Sequence, residues 1–314
     1  MRTLLLLWLF VAPGADSLQV MFWNVENFFD WRNDSTTVSD VEFSAAGERH
    51  WTWKRFQAKA NAFAKALFWV EAETGRLPDI IGLEEVENAF VLRQVLQKTA
   101  LRKLDFKYVH YDSPDRRGID VALLYRTSRL ELLDSRPCHL YVADTVMATR
   151  DILLCVFQRD SAKVAVLVNH HPSKYGGAAE SEPRRRIAVE RLRFLADSLA
   201  AIGIDRIIAG GDFNDTPDNP VFGLLEPALA PMHMDLFRHG LGTIKYDGKW
   251  DLIDHIYVSP ALTPLSRMQI LRIPFLLTRD TVHSGEKPLR TYTGPRHTGG
   301  VSDHLPVLLE VHFQ

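Results

Sequence analysis

Residues 206–214 read Arg206-Ile207-Ile208-Ala209-Gly210-Gly211-Asp212-Phe213-Asn214, an apolar run that stops abruptly in Gly, Asp and Asn. The β-branched residues of Arg206–Ala209 predict a strand, and the residues that follow are those that leave a strand for a tight turn. Taken alone, Gly-Asp-Phe-Asn is compatible with a turn and nothing more. The arrangement recurs, however. Asn24-Val25-Glu26-Asn27 follows the predicted strand Leu18–Trp23, Glu84-Glu85-Val86-Glu87-Asn88 follows Ile80–Leu83, and Asn169-His170-His171 follows Val164–Val168. Asp251-Leu252-Ile253-Asp254 and Ser302-Asp303-His304 instead precede the runs Ile256–Val258 and Pro306–Phe313. If those last two strands run antiparallel to the others, all six polar clusters meet at one edge.

Further strand-like runs lie at Val121–Tyr125 and Ile152–Phe157. Between the runs, Phe56, Ala60, Phe63, Leu67 and Val70 form one apolar helical stripe, and Ala188, Leu192, Leu195 and Leu199 form another. A weaker helix is read over Ala89–Thr99. Strands mixed with helices, many joined without a crossover helix, predict a four-layer α/β sandwich: two packed mixed β-sheets flanked by helices. The stretch Leu262–Gly300, rich in Thr, Pro and Gly, reads as a long surface loop.

Bulk properties narrow the field only partly. The formal net charge of -2 gives no overall pull towards nucleic acid or anionic lipid. Arg2 followed by the apolar Thr3–Val11 and the small residues Ala12, Gly14 and Ala15 reads as an export signal over residues 1–17, leaving residues 18–314 as one domain. The apolar run is too short for a membrane span, so no stable membrane insertion is expected after its removal, and the protein is expected to be secreted or periplasmic. A buried first strand or a lipid-facing anchor is the competing reading. Cys138 and Cys155 are either a disulfide pair in an oxidising compartment or two separate buried thiols; their spacing does not resemble a zinc site.

Carboxylates, amides and imidazoles converging in one cleft suit phosphoester hydrolysis. A hard divalent cation held by oxygen ligands polarises the phosphate, a second carboxylate orients water, and imidazoles donate to the phosphorus centre or its leaving oxygen. An all-oxygen set favours Mg²⁺ or Mn²⁺ over zinc.

At these residues the chain resembles the endonuclease/exonuclease/phosphatase superfamily, in which DNase I-like and exonuclease III-like enzymes fall, and it is read as a secreted, bacterial-type member. Gly211-Asp212-Phe213-Asn214 and Ser302-Asp303-His304-Leu305-Pro306-Val307 are the specific signatures; the remaining motifs are weaker but occur in the family order from Phe22 to Leu308. The resemblance implies a metal set of Asn24, Glu85 and Asp303. Glu84 stands where the family usually has glutamine. It also implies a catalytic group of His170, Asp212, Asn214, Asp254 and His304. Asp212 would position the attacking water and Asn214 a phosphate oxygen. His304 would face the phosphate, paired with Asp254 and oriented by Asp303, and His170 would be a second phosphate-facing imidazole. His171 departs from the family pattern, and Asp120 is read either as orienting His170 or as a satisfied strand-end carboxylate.

Arg117 and Lys174 adjoin the site loops and, with Arg290 of the long loop, are the expected substrate contacts. Arg184–Arg193 is read as a solvated helix face in preference to a phosphate funnel, and Trp51 and Trp53 as packing in preference to base stacking. The expected function is a metal-dependent phosphodiesterase, foremost a secreted endonuclease-like nuclease with nucleic acid as substrate and no protein partner implied. The alternatives are a sphingomyelinase-like phospholipid phosphodiesterase, an inositol-phosphate phosphatase, and a non-catalytic binding protein of the same fold.

Overall fold

The computed structural model describes residues 17–33, 37–174 and 177–313. The leader expected over residues 1–17 lies outside the described residues except for Ser17, which opens the first strand. The principal elements are β1 (Ser17–Phe28), α1 (Trp53–Thr74), β2 (Ile80–Val86), α2 (Ala89–Lys98), β3 (Phe106–His110), β4 (Asp120–Arg126) and β5 (Glu131–Cys138). They continue as β6 (Ile152–Arg159), β7 (Ala162–His170), α3 (Ala178–Ala201), β8 (Ile207–Asp212), β9 (Ala230–Pro231), β10 (Asp254–Val258), β11 (Ser266–Ile270) and β12 (Val307–His312).

The strands form two six-stranded mixed sheets, ordered β11-β12-β1-β2-β4-β3 and β9-β10-β8-β7-β6-β5. In each, a central parallel pair, β1 with β2 and β7 with β8, is flanked by an antiparallel strand, β12 or β10. That orientation is the one the sequence required to bring the polar clusters to a common edge.

Strand parity sorts the side chains into layers, because successive residues face opposite sides of a sheet. Leu18, Val20 and Phe22 enter the core between the sheets, whereas Met21, Trp23 and Val25 pack towards α1 and α2. On the second sheet Val166, Val168 and Ile208 face inward, and Ala165, Leu167, Ile207 and Ala209 pack beneath α3. Both apolar helical stripes read from sequence are buried. Thr52 caps the start of α1, and Gly75 ends it at φ +82°, a left-handed conformation that costs glycine little.

The sheets meet closely at Phe22. A Cβ on Gly82 would lie 2.5 Å from its ring, and one on Gly210 of the opposite sheet 2.4 Å. The two glycines therefore make room for one large ring directly below the site edge.

Several expectations need correction. Residues 262–300 are not one loop: Ser266–Ile270 pairs with β12 as an edge strand, and Leu277–Arg279 with Glu286–Pro288 and Tyr292–Thr293 with Arg296–His297 form small hairpins. The sheet-edge strands β3 and β5 carry half-exposed, polar-interrupted sequences and escaped the apolar-run reading. Cys138 and Cys155 are free thiols. The register pairs Cys138 with Ile152 and Cys155 with Ser135, and the thiols enter different cores. Among the described residues no helix is long and apolar enough to cross a membrane.

Gly210→Ala is expected to overpack this junction and destabilise the protein by about 1–3 kcal/mol. Urea unfolding of the variant checks it, and an unchanged midpoint would mean that the Phe22 ring yields freely.

Candidate active site

The site is the continuation of the inter-sheet core by polar residues at the same parity. Phe22 is followed on its face by Asn24, Gly82 by Glu84, Val168 by His170 and Gly210 by Asp212, while Asp254 precedes Ile256. All five are buried. Glu85 escapes this parity through a left-handed backbone (φ +65°) beside a break in the β2–β4 register. Glu26 and Asn27 do the same at the end of β1 (φ +46° and +49°). Three such non-glycine residues at one edge mark a backbone held there by its surroundings.

Asp212 is the centre of the arrangement. Its Oδ2 accepts from Asn24 Nδ2 at 3.0 Å and Asn214 Nδ2 at 3.3 Å, and its Oδ1 accepts from the Asn214 backbone N–H at 2.8 Å. His170 Nε2 stands 3.6 Å and His304 Nε2 3.9 Å from the same Oδ2. His304 Nδ1 is held by Asp254 at 2.8 Å. Thus the Asp254–His304 pair and the Asp212 position read from sequence come together. Asn214 also donates to the His171 carbonyl at 3.0 Å, which fixes its amide plane.

Glu85 lies at the rim, its Oε2 accepting from Asn27 N at 2.8 Å and its Oε1 lying 3.9 Å from His170 Nε2. Arg117 Nη2 reaches it at 3.7 Å and Arg290 pairs with Asp303 at 2.9 Å, so two of the three expected substrate cations lie over the site. Lys174 instead pairs with Asp215 at 2.7 Å. Asn24 turns its amide to Asp212, and Asp303 is tied to Arg290, with His304 Nε2 at 4.0 Å from its carboxylate.

Asp120 does not orient His170. It accepts from Ser113 N and pairs with His110 at 3.1 Å. Together with the exposed Asp112 these form a trio whose candidate ligand atoms lie within 4.8 Å of one another. Trp51 is fully buried with its indole N–H on the Phe29 carbonyl, so it packs the core. Within the arginine cluster, Arg186 and Arg193 make surface pairs with Glu190 and Asp197, but Arg185 is buried against Asp215 and ties α3 to the loop after Asp212.

Sequence reasoning missed three contributors. Glu26 accepts from Arg290 Nε at 3.1 Å and from the Thr291 backbone at 2.7 Å. Lys59 is buried on α1 and donates to the Glu26 carbonyl and Thr291 Oγ1. Its place one helical turn from Phe56, on the apolar stripe, was the available signal. Buried Arg150 donates to the His171 carbonyl at 2.7 Å and pairs with Asp115 at 3.0 Å; no motif surrounds it.

Burial governs the electrostatics. It raises Asp212 to about 7, with Asp254 adding to the rise against the pull of His304. Burial, then Asp303, raise Glu26 to about 7, and burial lowers Lys59 to about 8 against the attraction of Glu26. His170 is held well below its ordinary value by burial and then by Arg150 and Arg117. For His304, burial opposes protonation, yet Asp254 and then Asp212 and Asp303 hold it well above. Glu84, buried with neither carboxylate oxygen hydrogen-bonded, is pushed well above its ordinary value by burial and by Asp254 and Asp212. A neutral acid there occupies the position of an uncharged amide.

These carboxylates crowd one another under desolvation, the condition a bound cation relieves; Glu85 and Asp303 carry the oxygen donors a hard divalent ion takes, while Asn24 Oδ1 accepts from the Glu26 backbone N–H at 2.9 Å.

A family profile described as the Endonuclease/Exonuclease/phosphatase family matches residues 19–313. The chain belongs to that family. Its members are hydrolases acting on phosphoester bonds and generally use divalent metals. The chain is 26% identical over 213 residues to Protein angel of Drosophila melanogaster, a match covering 62% of this chain and 57% of that protein. Its fold is similar to the human Nocturnin catalytic domain solved with bound sulfate (TM-score 0.60, 17% identity, 95% of each chain). It is also similar to TDP2 from C. elegans (TM-score 0.62, 14% identity, 95% of this chain and 75% of that one). A mannosyl-6-phosphatase of Bacteroides thetaiotaomicron gives TM-score 0.59 at 16% identity, over 94% of this chain and 100% of that one.

Behind the Asp212 loop lies a stack of buried rings: His171 on Phe213, Phe213 on His255, and His255 on His233, with centroids 4.4, 5.0 and 4.2 Å apart. Burial lowers His233 from 6.5 to about 4 and His171 to about 3. The unfolded chain binds these protons first, so the stability gained from neutral His233 is present above pH 6.5 and lost as pH falls towards about 4. Whatever its offset at neutral pH, His233→Phe is expected to gain on the wild type by about 1.4 kcal/mol per pH unit across that window. Parallel stability profiles in urea would refute this.

Proposed function

We propose that the chain is a divalent-metal-dependent phosphodiesterase acting on nucleic acid. The observation that carries the catalytic reading is the convergence on Asp212 of two amide donors and two imidazoles, one of them braced by Asp254. Glu85, Asn24 and Asp303 would hold the metal, which when bound polarises the phosphate oxygens and offsets their charge.

The chain's own groups supply the rest. Asn24 and the Asn214 backbone fix the Asp212 carboxylate, so that it orients water and accepts its proton. His304, held by Asp254, presents Nε2 as a proton donor to phosphate oxygen, and neutral His170 offers a second polar contact. Arg117 and Arg290 screen the approaching phosphodiester at the rim.

Support for a nucleic-acid substrate comes from a fold relative solved with single-strand DNA product, the TDP2 of D. rerio (TM-score 0.56, 15% identity). A second reading, a phosphomonoester of a sugar, draws on the similar resemblance to the mannosyl-6-phosphatase. Export belongs to the same proposal, resting on the leader read over residues 1–17, and N-terminal sequencing of protein recovered outside the cytoplasm checks it.

The test is nicking of plasmid DNA with Mg²⁺ or Mn²⁺. EDTA should stop it and excess metal restore it. Asp212→Asn should fold normally and turn over roughly 10²–10⁴-fold more slowly. Full activity in that variant would remove Asp212 from the mechanism. Phosphate release from mannose 6-phosphate without nicking would replace the substrate while leaving the site in place.

A further inference from the structure

The end of the first sheet opposite the site carries a second feature that the chemistry above does not use. β3 is the terminal strand of its sheet. Beside it, α2 and the 3-10 turn Ala100–Lys103 wall a groove of about 580 Å³, adjoined by another of about 510 Å³ that shares Arg102 and Leu104. The floor is apolar, formed by Leu96, Leu101, Leu104, Phe106 and Tyr108, with Phe68 in the adjoining part.

The rim has a single sign. Arg93, Lys98, Arg102, Lys103 and Lys107 are exposed, and none makes an ion pair with another described residue. The acid within this stretch, Asp105, is engaged by Arg126 and the Ser128 backbone at 2.7 and 2.6 Å. So the groove's positive charge is not answered from within the chain's own segment.

The strand edge is also available. Thr127 N donates to Asp105 O, which makes Asp105, Lys107 and Val109 the residues that bond across to β4 in the alternating antiparallel ladder. Phe106, Tyr108 and His110 then direct their backbone groups away from the sheet. An open edge between a helix and an apolar floor is the geometry by which an added strand is captured: main-chain bonds give affinity, and pockets for alternate side chains give selectivity.

We propose that this groove is a docking site for an extended acidic peptide segment of a partner protein, added along β3 with apolar side chains on the groove floor and carboxylates against the cationic rim. A nucleic-acid strand would use the charge and the aromatic rings but neither the leucines nor the backbone groups of the strand edge. A second copy of this chain would set Arg102 and Lys107 against their own counterparts, an edge chemistry that discourages self-pairing. Docking there leaves the catalytic edge open, because β3 meets that edge only through His110 and the groove lies at its Phe106 end.

The test uses the full chain and a fluorescein-labelled decapeptide alternating glutamate with leucine and phenylalanine, followed by anisotropy at about 0.1 M salt. Binding should weaken at least roughly tenfold in Arg102→Glu/Lys107→Glu, since close charge pairs across an interface carry that much. It should weaken also in Tyr108→Pro, which removes an outward N–H but no bond to β4. Arg186→Glu on α3 should leave it unchanged, and melting curves identify any variant that fails to fold. Hydrogen exchange should slow on peptide addition at Phe106, Tyr108 and residues 93–104. Equal binding by the folded charge-reversal variant, absence of protection along β3, or stronger capture of oligo-dT or phosphatidylserine vesicles by the same residues overturns the proposal. Because plasmid nicking is read separately, loss of the nuclease reading leaves this result standing, and the converse holds.

Discussion

The face between the two sheets carries both the stability and the chemistry of this protein. Along β1, β2, β7, β8 and β10 the same side-chain parity that buries Val20, Ile80, Val166, Ile208 and Ile256 presents Asn24, Glu84, His170, Asp212 and Asp254 at the open edge. Phe22, between Gly82 and Gly210, closes the apolar part immediately below them. Any slip in register would move these polar groups to the helix-covered faces, where the packing is apolar. Strand pairing and site assembly are therefore one constraint.

That placement has an electrostatic cost, which the arrangement turns to use. Carboxylates removed from water resist ionisation, and burial pushes Asp212, Glu26 and Glu84 upward. The residues around them answer in different ways. Asp212 is hydrogen-bonded by amides, Glu26 is faced by Arg290 and Lys59, and Glu84 is left without a hydrogen-bond partner. The imidazoles diverge for the same reason. His304 sits against Asp254 and is held protonated, whereas His170 sits beneath Arg150 and Arg117 and stays neutral. One edge thus holds two histidines of opposite charge preference, a separation that acid–base chemistry uses.

The backbone at this edge is as specialised as the side chains. Glu26, Asn27, Glu85 and Asn214 all lie at positive φ. Glu85 reaches the rim because the chain turns out of strand parity there, and the Asn214 N–H returns to Asp212 Oδ1 across a tight turn. Arg185 with Asp215, and Arg150 with the His171 carbonyl, anchor the loops that carry these residues to the scaffold. Such anchors keep loops in one conformation without touching the reacting centre.

Much of the centre was legible in the chain itself. A β-forming run followed at once by Gly-Asp-Phe-Asn is a local signal, as are the apolar stripes of α1 and α3, because strand and helix periods are properties of adjacent residues. Strand ends, the polar clusters after them and the two-sheet architecture could be read at that level, and the resemblance to the family singled out Asp212, His170, Asp254 and His304 among those clusters. The sequence did not carry edge strands β3 and β5, whose polar residues face solvent, nor β11, which gains its conformation from pairing with β12. It also could not tell that Asp120 belongs to His110, that Lys174 belongs to Asp215, or that Glu26, Lys59 and Arg150 join the site. Those assignments depend on which distant segments lie within a few ångströms of one another, and only the packed sheets decide that.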